Sequence, residues 1–326
     1  MFREAASPVR APSTWTLRVS VLDRCQYRCP YCRPGAVAPY VEQASRLTAD
    51  DYASLAPLFA ARGVTKVRFT GGEPLLRRDL PAVVAAFRRG APEATLALTT
   101  NGQHLAVRRP ALAEAGITRA TVHVDSLRPE RYRALMGDGD VGEVLAATLA
   151  AHDLLAEVKL NVVVQRGHND DELGDFLAWS RKTGVEVRFI ELMNTGSAAE
   201  YTRSVFMTGQ AIADALAAHG GATPVPRREA SAPAARFRAD DGLEFGIIAS
   251  DTQPFCADCN RMRLSADGRL LGCLYESGGI DLRGALAGGD AAELGARLDR
   301  GFSGKRSHHP DVDVDRVPFS MAQTGG

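Results

Sequence analysis

The sequence predicts an α/β fold in which a parallel sheet curls into a partial, TIM-type (β/α)6 barrel, followed by a C-terminal extension. Three observations lead there. From Thr16 onward, short runs rich in β-branched residues alternate with longer amphipathic stretches, the signature of βα units around a parallel sheet. Six such units are two short of the eight that close a barrel, so residues 15–194 read as an open or partial one. After residue 194 the periodicity fades and Gly, Ala, Pro and Arg become frequent, until the apolar run Leu243–Ala249 opens a smaller unit within 195–326.

In chain order, residues 1–14 contain Pro8 and Pro12 but no apolar stretch of signal-peptide length. The strands expected next are Thr16–Val21, Lys66–Thr70, Thr95–Thr99, Ala120–Val124, Val158–Val164 and Val185–Ile190. Between them, Asp50–Arg62, Asp79–Arg89, Val141–Glu157 and Asp170–Thr183 read as helices, and Thr48 with Asp51 three residues on forms a starting cap for the first. In the connector only Gln210–Ala218 reads as a helix. Near the end, Ser265-Ala266-Asp267-Gly268 reads as the turn of a hairpin.

Composition narrows the function classes. The chain has 326 residues, 45% hydrophobic and 24% charged, with Lys+Arg and Asp+Glu equal at 39 each. Net neutrality gives no global field for nucleic acid, so any anion must be recognised by local placement of Arg and Lys. No window approaches a membrane span. Cytoplasmic residence is the default expectation, and its reducing environment disfavours disulfides and suits thiolate metal ligation.

All six cysteines fall into two triplets, Cys25-x3-Cys29-x2-Cys32 and Cys256-x2-Cys259-x13-Cys273. Structural zinc and ordinary iron-sulfur clusters take four protein ligands, so each triplet leaves one coordination site open. A zinc set completed by a distant fourth residue remains the alternative at both. Cys25 follows the first strand and Gly71-Gly72-Glu73-Pro74 the second, at the strand C-terminal ends where barrel active sites gather. The glycine pair permits a close backbone approach or simply makes a tight turn. Arg261 and Arg263 alternate on a short strand and so point the same way; guanidinium donors suit phosphate, and a solvated basic face is the other reading.

The first triplet, with Tyr31 inside it and the Gly-Gly-Glu-Pro run, resembles the radical S-adenosylmethionine superfamily. That resemblance implies a 4Fe-4S cluster on Cys25, Cys29 and Cys32 whose free iron is chelated by S-adenosylmethionine, with Tyr31 against adenine and Gly72 near the methionyl amino group. The segment Phe255-Cys256-Ala257-Asp258-Cys259-Asn260-Arg261-Met262-Arg263-Leu264 closely resembles one family, the GTP 3′,8-cyclases (molybdenum cofactor biosynthesis protein A). Leu17-Arg18-Val19-Ser20, Thr99-Thr100-Asn101-Gly102, Val158-Lys159-Leu160-Asn161, Arg188-Phe189-Ile190-Glu191-Leu192-Met193 and the terminal Gly325-Gly326 match it in the same order.

The resemblance implies a radical lyase that abstracts hydrogen from C3′ of GTP and joins that carbon to C8 of guanine. It implies a second 4Fe-4S cluster on Cys256, Cys259 and Cys273, a GTP site lined by Arg18, Arg68, Thr99, Lys159, Arg261, Met262 and Arg263, and S-adenosylmethionine contacts from Tyr31, Gly72, His123 and Met193. It places the Gly325-Gly326 tail in the active site. An electron donor protein and a downstream cyclic pyranopterin monophosphate synthase are the implied partners, and a homodimer is compatible with it. Two departures stand out. His123-Val124-Asp125-Ser126 replaces the usual Ser-Leu-Asp-Ser, and Arg33 stands where the family usually has Met. The rivals left standing are a radical enzyme with an auxiliary cluster acting on another substrate, such as a peptide, and a zinc-binding structural protein.

Overall fold

A computed structural model describes residues 13–32, 40–193, 199–276 and 278–305. The first half is a run of βα units: β1 (Trp15–Leu22), α1 (Ala49–Ala61), β2 (Val64–Gly71), α2 (Leu80–Gly90), β3 (Thr95–Thr100), α3 (Leu105–Ala115), β4 (Arg119–His123), α4 (Pro129–Met136), α5 (Val141–His152), β5 (Glu157–Val164), α6 (Leu173–Thr183) and β6 (Glu186–Glu191). The extension adds α7 (Ala199–Val205), α8 (Gly209–Ala217), β7 (Thr223–Val225), β8 (Ala235–Arg238), β9 (Glu244–Ile248), β10 (Arg261–Leu264), β11 (Arg269–Leu271), β12 (Ile280–Asp281), α9 (Arg283–Ala287) and α10 (Ala291–Ser303).

Period-two alternation explains how the sheet sorts its two faces. Val19, Phe69, Leu98, Ala120 and Val158 stand in register across β1 to β5 on the outer face, all buried. Helices cover that face: Phe87 of α2 meets Phe69 edge-on at 5.5 Å, and Phe176 of α6 meets Phe189 at 6.3 Å. The helices present matching stripes, Tyr52, Leu55, Ala56 and Phe59 on α1 and Leu80, Val83, Val84 and Phe87 on α2. Each of the Leu, Val and Phe side chains among them contributes about 1.5–3 kcal/mol by leaving water. The alternate strand positions, Arg18, Arg68, Thr99, Thr121, Lys159 and Arg188 among them, face inward.

The six expected strands are present with small shifts at their ends, and Thr48 closes a reciprocal capping box with Asp51. The helix expected over Val141–Glu157 stops at His152, because the chain needs residues 153–156 to turn into β5.

The extension does not form a sheet of its own. Among the described residues all the strands belong to one sheet of order β12-β11-β10-β1-β2-β3-β4-β5-β6-β9-β8-β7. β10 pairs parallel with β1 and β9 pairs parallel with β6, so the extension lays one parallel strand on each edge of the six. Eight parallel strands result, the number a closed barrel would have, but the antiparallel β11–β12 and β8–β7 continue outward and leave the barrel open.

Candidate functional site

The direction of the strands sets the two triplets apart. Cys25, Cys29 and Cys32 lie beyond the C-terminal end of β1. Cys256 and Cys259 precede the N-terminal end of β10, which runs parallel to β1, and antiparallel β11 brings Cys273 back to that same end. The triplets therefore cap opposite ends of the inner face. All six are free thiols.

At the first triplet, the sheet pairing continues upward from β1 and β2: Gly72 N donates to Leu22 O at 2.6 Å and Glu73 N to Arg24 O at 2.8 Å. The glycines are required by this contact, since a Cβ at Gly71 would lie 2.0 Å from Leu22 O and one at Gly72 2.4 Å from Arg24 O. Glu73, fully buried, accepts from Leu75 N, Thr100 Oγ1 and Asn101 N, tying the end of β2 to the end of β3. Burial still pushes its carboxyl up to about 7. Asn101 Nδ2 reaches back to Cys25 Sγ at 3.7 Å, and Tyr27 N donates to the same sulfur at 3.4 Å.

Tyr31 is held from below. Its hydroxyl lies 2.6 Å from both His123 Nε2 and Asp125 Oδ2, and His123 Nε2 is 3.2 Å from Asp125 Oδ1. Asp125 is itself fixed by Val163 N at 2.8 Å and has no exposure. The ring inside the cysteine loop is thus pinned by polar groups from the ends of β4 and β5. Burial, then Glu73 and Cys32, push Cys25 up to about 12, and burial with Cys32 and Asp125 pushes Cys29 upward as well.

The second triplet sits in the opposite field. Burial raises Cys256, helped by its two partner thiols. Cys259 is raised by burial too, but Arg261 and Lys305 outweigh it and bring the thiol down to about 7. Lys305 Nζ donates to Cys259 Sγ at 3.3 Å. Arg261 lies over the Phe255 ring at 4.4 Å and donates to Ser231 O at 3.2 Å.

Between the triplets, Arg263, Arg18 and Arg68 stand in direct register on β10, β1 and β2. Like charges opposite one another on neighbouring strands repel. Burial and then Arg263, Arg68 and Arg261 hold Arg18 well below its ordinary value, and burial with a neighbouring arginine brings Arg68 and Arg263 down to about 10, still cationic near neutral pH. Arg68 also donates to Thr99 Oγ1 at 3.1 Å and Thr121 Oγ1 at 3.0 Å. The facing wall is different. Lys159 pairs with Glu157 at 2.7 Å and Glu186 at 3.4 Å, and Arg188 with Glu186 at 2.7 Å. Its cations are already answered by carboxylates.

Most residues singled out from the sequence are brought together by this arrangement. Arg18, Arg68, Thr99, Arg261 and Arg263 share one wall; Lys159 occupies the opposite one, in the barrel-end ion pairs just described. Gly72 abuts the cysteine loop, and Met193 follows β6, half-buried. Met262 stands in register with Leu17 with its side chain fully buried in the apolar core, because alternation sends it to the face opposite Arg261 and Arg263. Arg33, Gly325 and Gly326 lie outside the described residues. Sequence reasoning passed over Asp125, Arg188 and Lys305. The first two sat inside quoted motifs, but Lys305 carried no signal, in a polar run beside Arg306.

Both triplets fit iron-sulfur clusters. Each set of thiols lies close enough to oppose its neighbours' ionisation, a cost that cationic iron removes, and donors already point at Cys25 and Cys259. Among the described residues no three His, Cys, Asp or Glu side chains close on a single metal ion; a cluster interposes its own irons and sulfides and asks for wider spacing than zinc.

Comparison with known proteins agrees. Residues 19–180 match the radical SAM superfamily model and residues 185–310 the model described as Molybdenum Cofactor Synthesis C. The chain is similar to GTP 3′,8-cyclase 3 of Mycobacterium bovis, 42% identical over 88% of this chain and 77% of that one. It is similar to the GTP 3′,8-cyclase of Moorella thermoacetica, 38% identical over 95% of this chain and 97% of the other. Among solved structures, Streptococcus suis SuiB bound to S-adenosylmethionine shares the fold, with a TM-score of 0.61 and 12% identity over 83% of this chain; the chain spans 62% of that protein.

Proposed function

Because the chain belongs to the GTP 3′,8-cyclase family of radical S-adenosylmethionine enzymes, we propose that the arginine wall between its two cysteine triplets is the seat of the GTP triphosphate. The enzyme converts GTP to (8S)-3′,8-cyclo-7,8-dihydroguanosine 5′-triphosphate, the first step of molybdenum cofactor biosynthesis. When bound, the first cluster with S-adenosylmethionine supplies the hydrogen-abstracting radical, and the second offers an open iron to the substrate.

The observation that carries the proposal is the register row Arg263–Arg18–Arg68. Three like charges in register on adjacent strands repel one another, and an anion of matching charge laid across them offsets that repulsion. Thr99 and Thr121 aim the Arg68 guanidinium, so the wall is set before substrate arrives. Lys159 and Arg188, already neutralised by Glu157 and Glu186, close the far side without adding net charge. A substrate held on a preset wall at a fixed height between the two ends gains the proximity a reactive carbon radical needs.

In the same reading Tyr31, Gly72, His123 and Met193 serve S-adenosylmethionine. His123 acts on it through Tyr31 and Asp125: it fills the position of the family's usual serine and completes the hydrogen-bonded unit that fixes the Tyr31 ring. The Gly325-Gly326 tail belongs to the active site, an electron donor protein reduces the first cluster, and a cyclic pyranopterin monophosphate synthase consumes the product in the cytoplasm; a homodimer is compatible with this. Among the described residues no helix is long and apolar enough to cross a membrane.

Anaerobic incubation with GTP, S-adenosylmethionine and dithionite tests the assignment by product identification. The cyclised nucleotide and 5′-deoxyadenosine are expected together; 5′-deoxyadenosine with no GTP-derived product would sink it.

A further inference from the structure

Lys305 follows α10 and is 8% exposed, so its ammonium has been taken almost wholly out of water. A buried cation needs a partner. Among the described residues no carboxylate pairs with it. Its Nζ donates instead to Cys259 Sγ at 3.3 Å and to the carbonyl of Gly272, the residue before Cys273. One positive charge therefore grips both limbs of the second triplet, the loop that leads into β10 and the strand end that leaves β11. Arg261 adds to the same field at Cys259, with its guanidinium over the Phe255 ring and donating to Ser231 O.

We propose that Lys305 is a positioning residue of the second cluster: its ammonium holds the Cys259 and Cys273 limbs at cluster spacing and raises the reduction potential of the cluster they carry. The physical reason is simple. Adding an electron to the cluster places more negative charge beside a fixed cation in a low-dielectric pocket, and hydrogen bonds to cluster sulfurs are among the levers that set such potentials. The proposal rests on the second triplet holding an iron-sulfur cluster.

The test uses the full chain, reconstituted anaerobically with both clusters, as wild type, Lys305→Met and Lys305→Arg. Met keeps the apolar stem without charge, and Arg keeps the charge. Electron paramagnetic resonance during a redox titration reads each cluster, and S-adenosylmethionine, which binds only the first, tells their signals apart. At the wild-type midpoint, Lys305→Met is expected to show at least a tenfold smaller reduced-to-oxidised ratio at the second cluster, a fall of about 59 mV for one electron. The first cluster should not move, and Lys305→Arg should recover most of the shift. Loss of iron from the second cluster alone in Lys305→Met, with retention in Lys305→Arg, also supports the clamp. An unmoved second-cluster potential at full iron content overturns it, as does equal loss of both clusters in both variants, which would mark Lys305 as part of helix packing only. A wild-type chain that takes up iron at the first triplet alone would fail the two-cluster reading rather than this one.

Discussion

Each cysteine triplet is three thiols on tight backbone, yet the two sit in opposite electric fields. Glu73 and Asp125 stand beside the first: burial with Glu73 pushes Cys25 up to about 12, and burial with Cys32 and Asp125 pushes Cys29 upward. Arg261 and Lys305 stand beside the second, and Cys259 comes down to about 7 despite burial. Identical ligand sets thus carry no information about which small molecule takes the vacant site; the second ring of charges does. An acidic surround suits a ligand that brings a sulfonium and an ammonium, and a basic one suits a triphosphate. The two ends of one barrel are sorted by charge before either ligand binds.

The most direct way to break this contrast is to alkylate the reduced, cluster-free chain with iodoacetamide at pH 7.5 and map the products. Thiolate fraction favours Cys259 by about four orders of magnitude, and the lower intrinsic nucleophilicity of a low-pKa thiolate returns about half of that, leaving roughly 10²-fold faster labelling than Cys25. The pH dependence follows in sign. The Cys259 rate should rise through pH 7, where about half the thiol is ionised, and level off above about 8, while the Cys25 rate keeps climbing to the top of the accessible range. Equal rates and parallel pH profiles would remove the contrast.

Arg18→Ala should produce the next largest effect, confined to the basic side. Loss of a charge-assisted contact worth about 1.5–3 kcal/mol weakens GTP binding by roughly 10- to 150-fold in equilibrium dialysis, with cluster iron and S-adenosylmethionine affinity unchanged. An equal fall in both affinities would mean that the wall supports the whole barrel rather than the nucleotide.

His123→Ser should act only on the other side. It removes one of the two groups on the Tyr31 hydroxyl and leaves Asp125 in place, so S-adenosylmethionine affinity falls by about fivefold, the worth of about 1 kcal/mol, and GTP affinity stays. Unchanged affinity for both ligands would reduce His123 to a neutral replacement. Smallest of all, Met262→Leu should cost under about 1.5 kcal/mol of stability in urea melts and leave GTP affinity untouched, because this side chain lies in the core. A tenfold loss of GTP binding would return Met262 to the nucleotide site.

The barrel strands were legible because each is a local run with its own turn signals, and Thr48 announced its helix through a pattern only four residues long. The extension was not legible in the same way. Its strands pair with β1 and β6, and the contact between Asn260 and Thr14 spans 246 residues, so no local window records it. The site divides likewise. The cysteines and arginines announce themselves by type and spacing, and the alternation that aims Arg261 and Arg263 inward already sends Met262 the other way, a signal present in the same four residues. Lys305 could not be found from sequence, since a lysine's burial is decided by what packs around it. Asp125 and Glu73 owe their roles to backbone donors from neighbouring strands, partners that a linear reading does not bring together.

The seating of β10 beside β1 has a consequence for how the chain comes off the ribosome. Among the described strands β1 is made first, and its partner on one side is among the last. Until β10 arrives, β1 offers a row of unpaired backbone groups to any other extended chain, and β6 does the same until β9 is made. A growing chain therefore carries the β1 border open through most of its synthesis and the β6 border through a shorter stretch of it. The step that seals one of them is the step that delivers the second set of cysteines, so the nascent barrel stays vulnerable to self-association until the segment that completes its chemistry is in place.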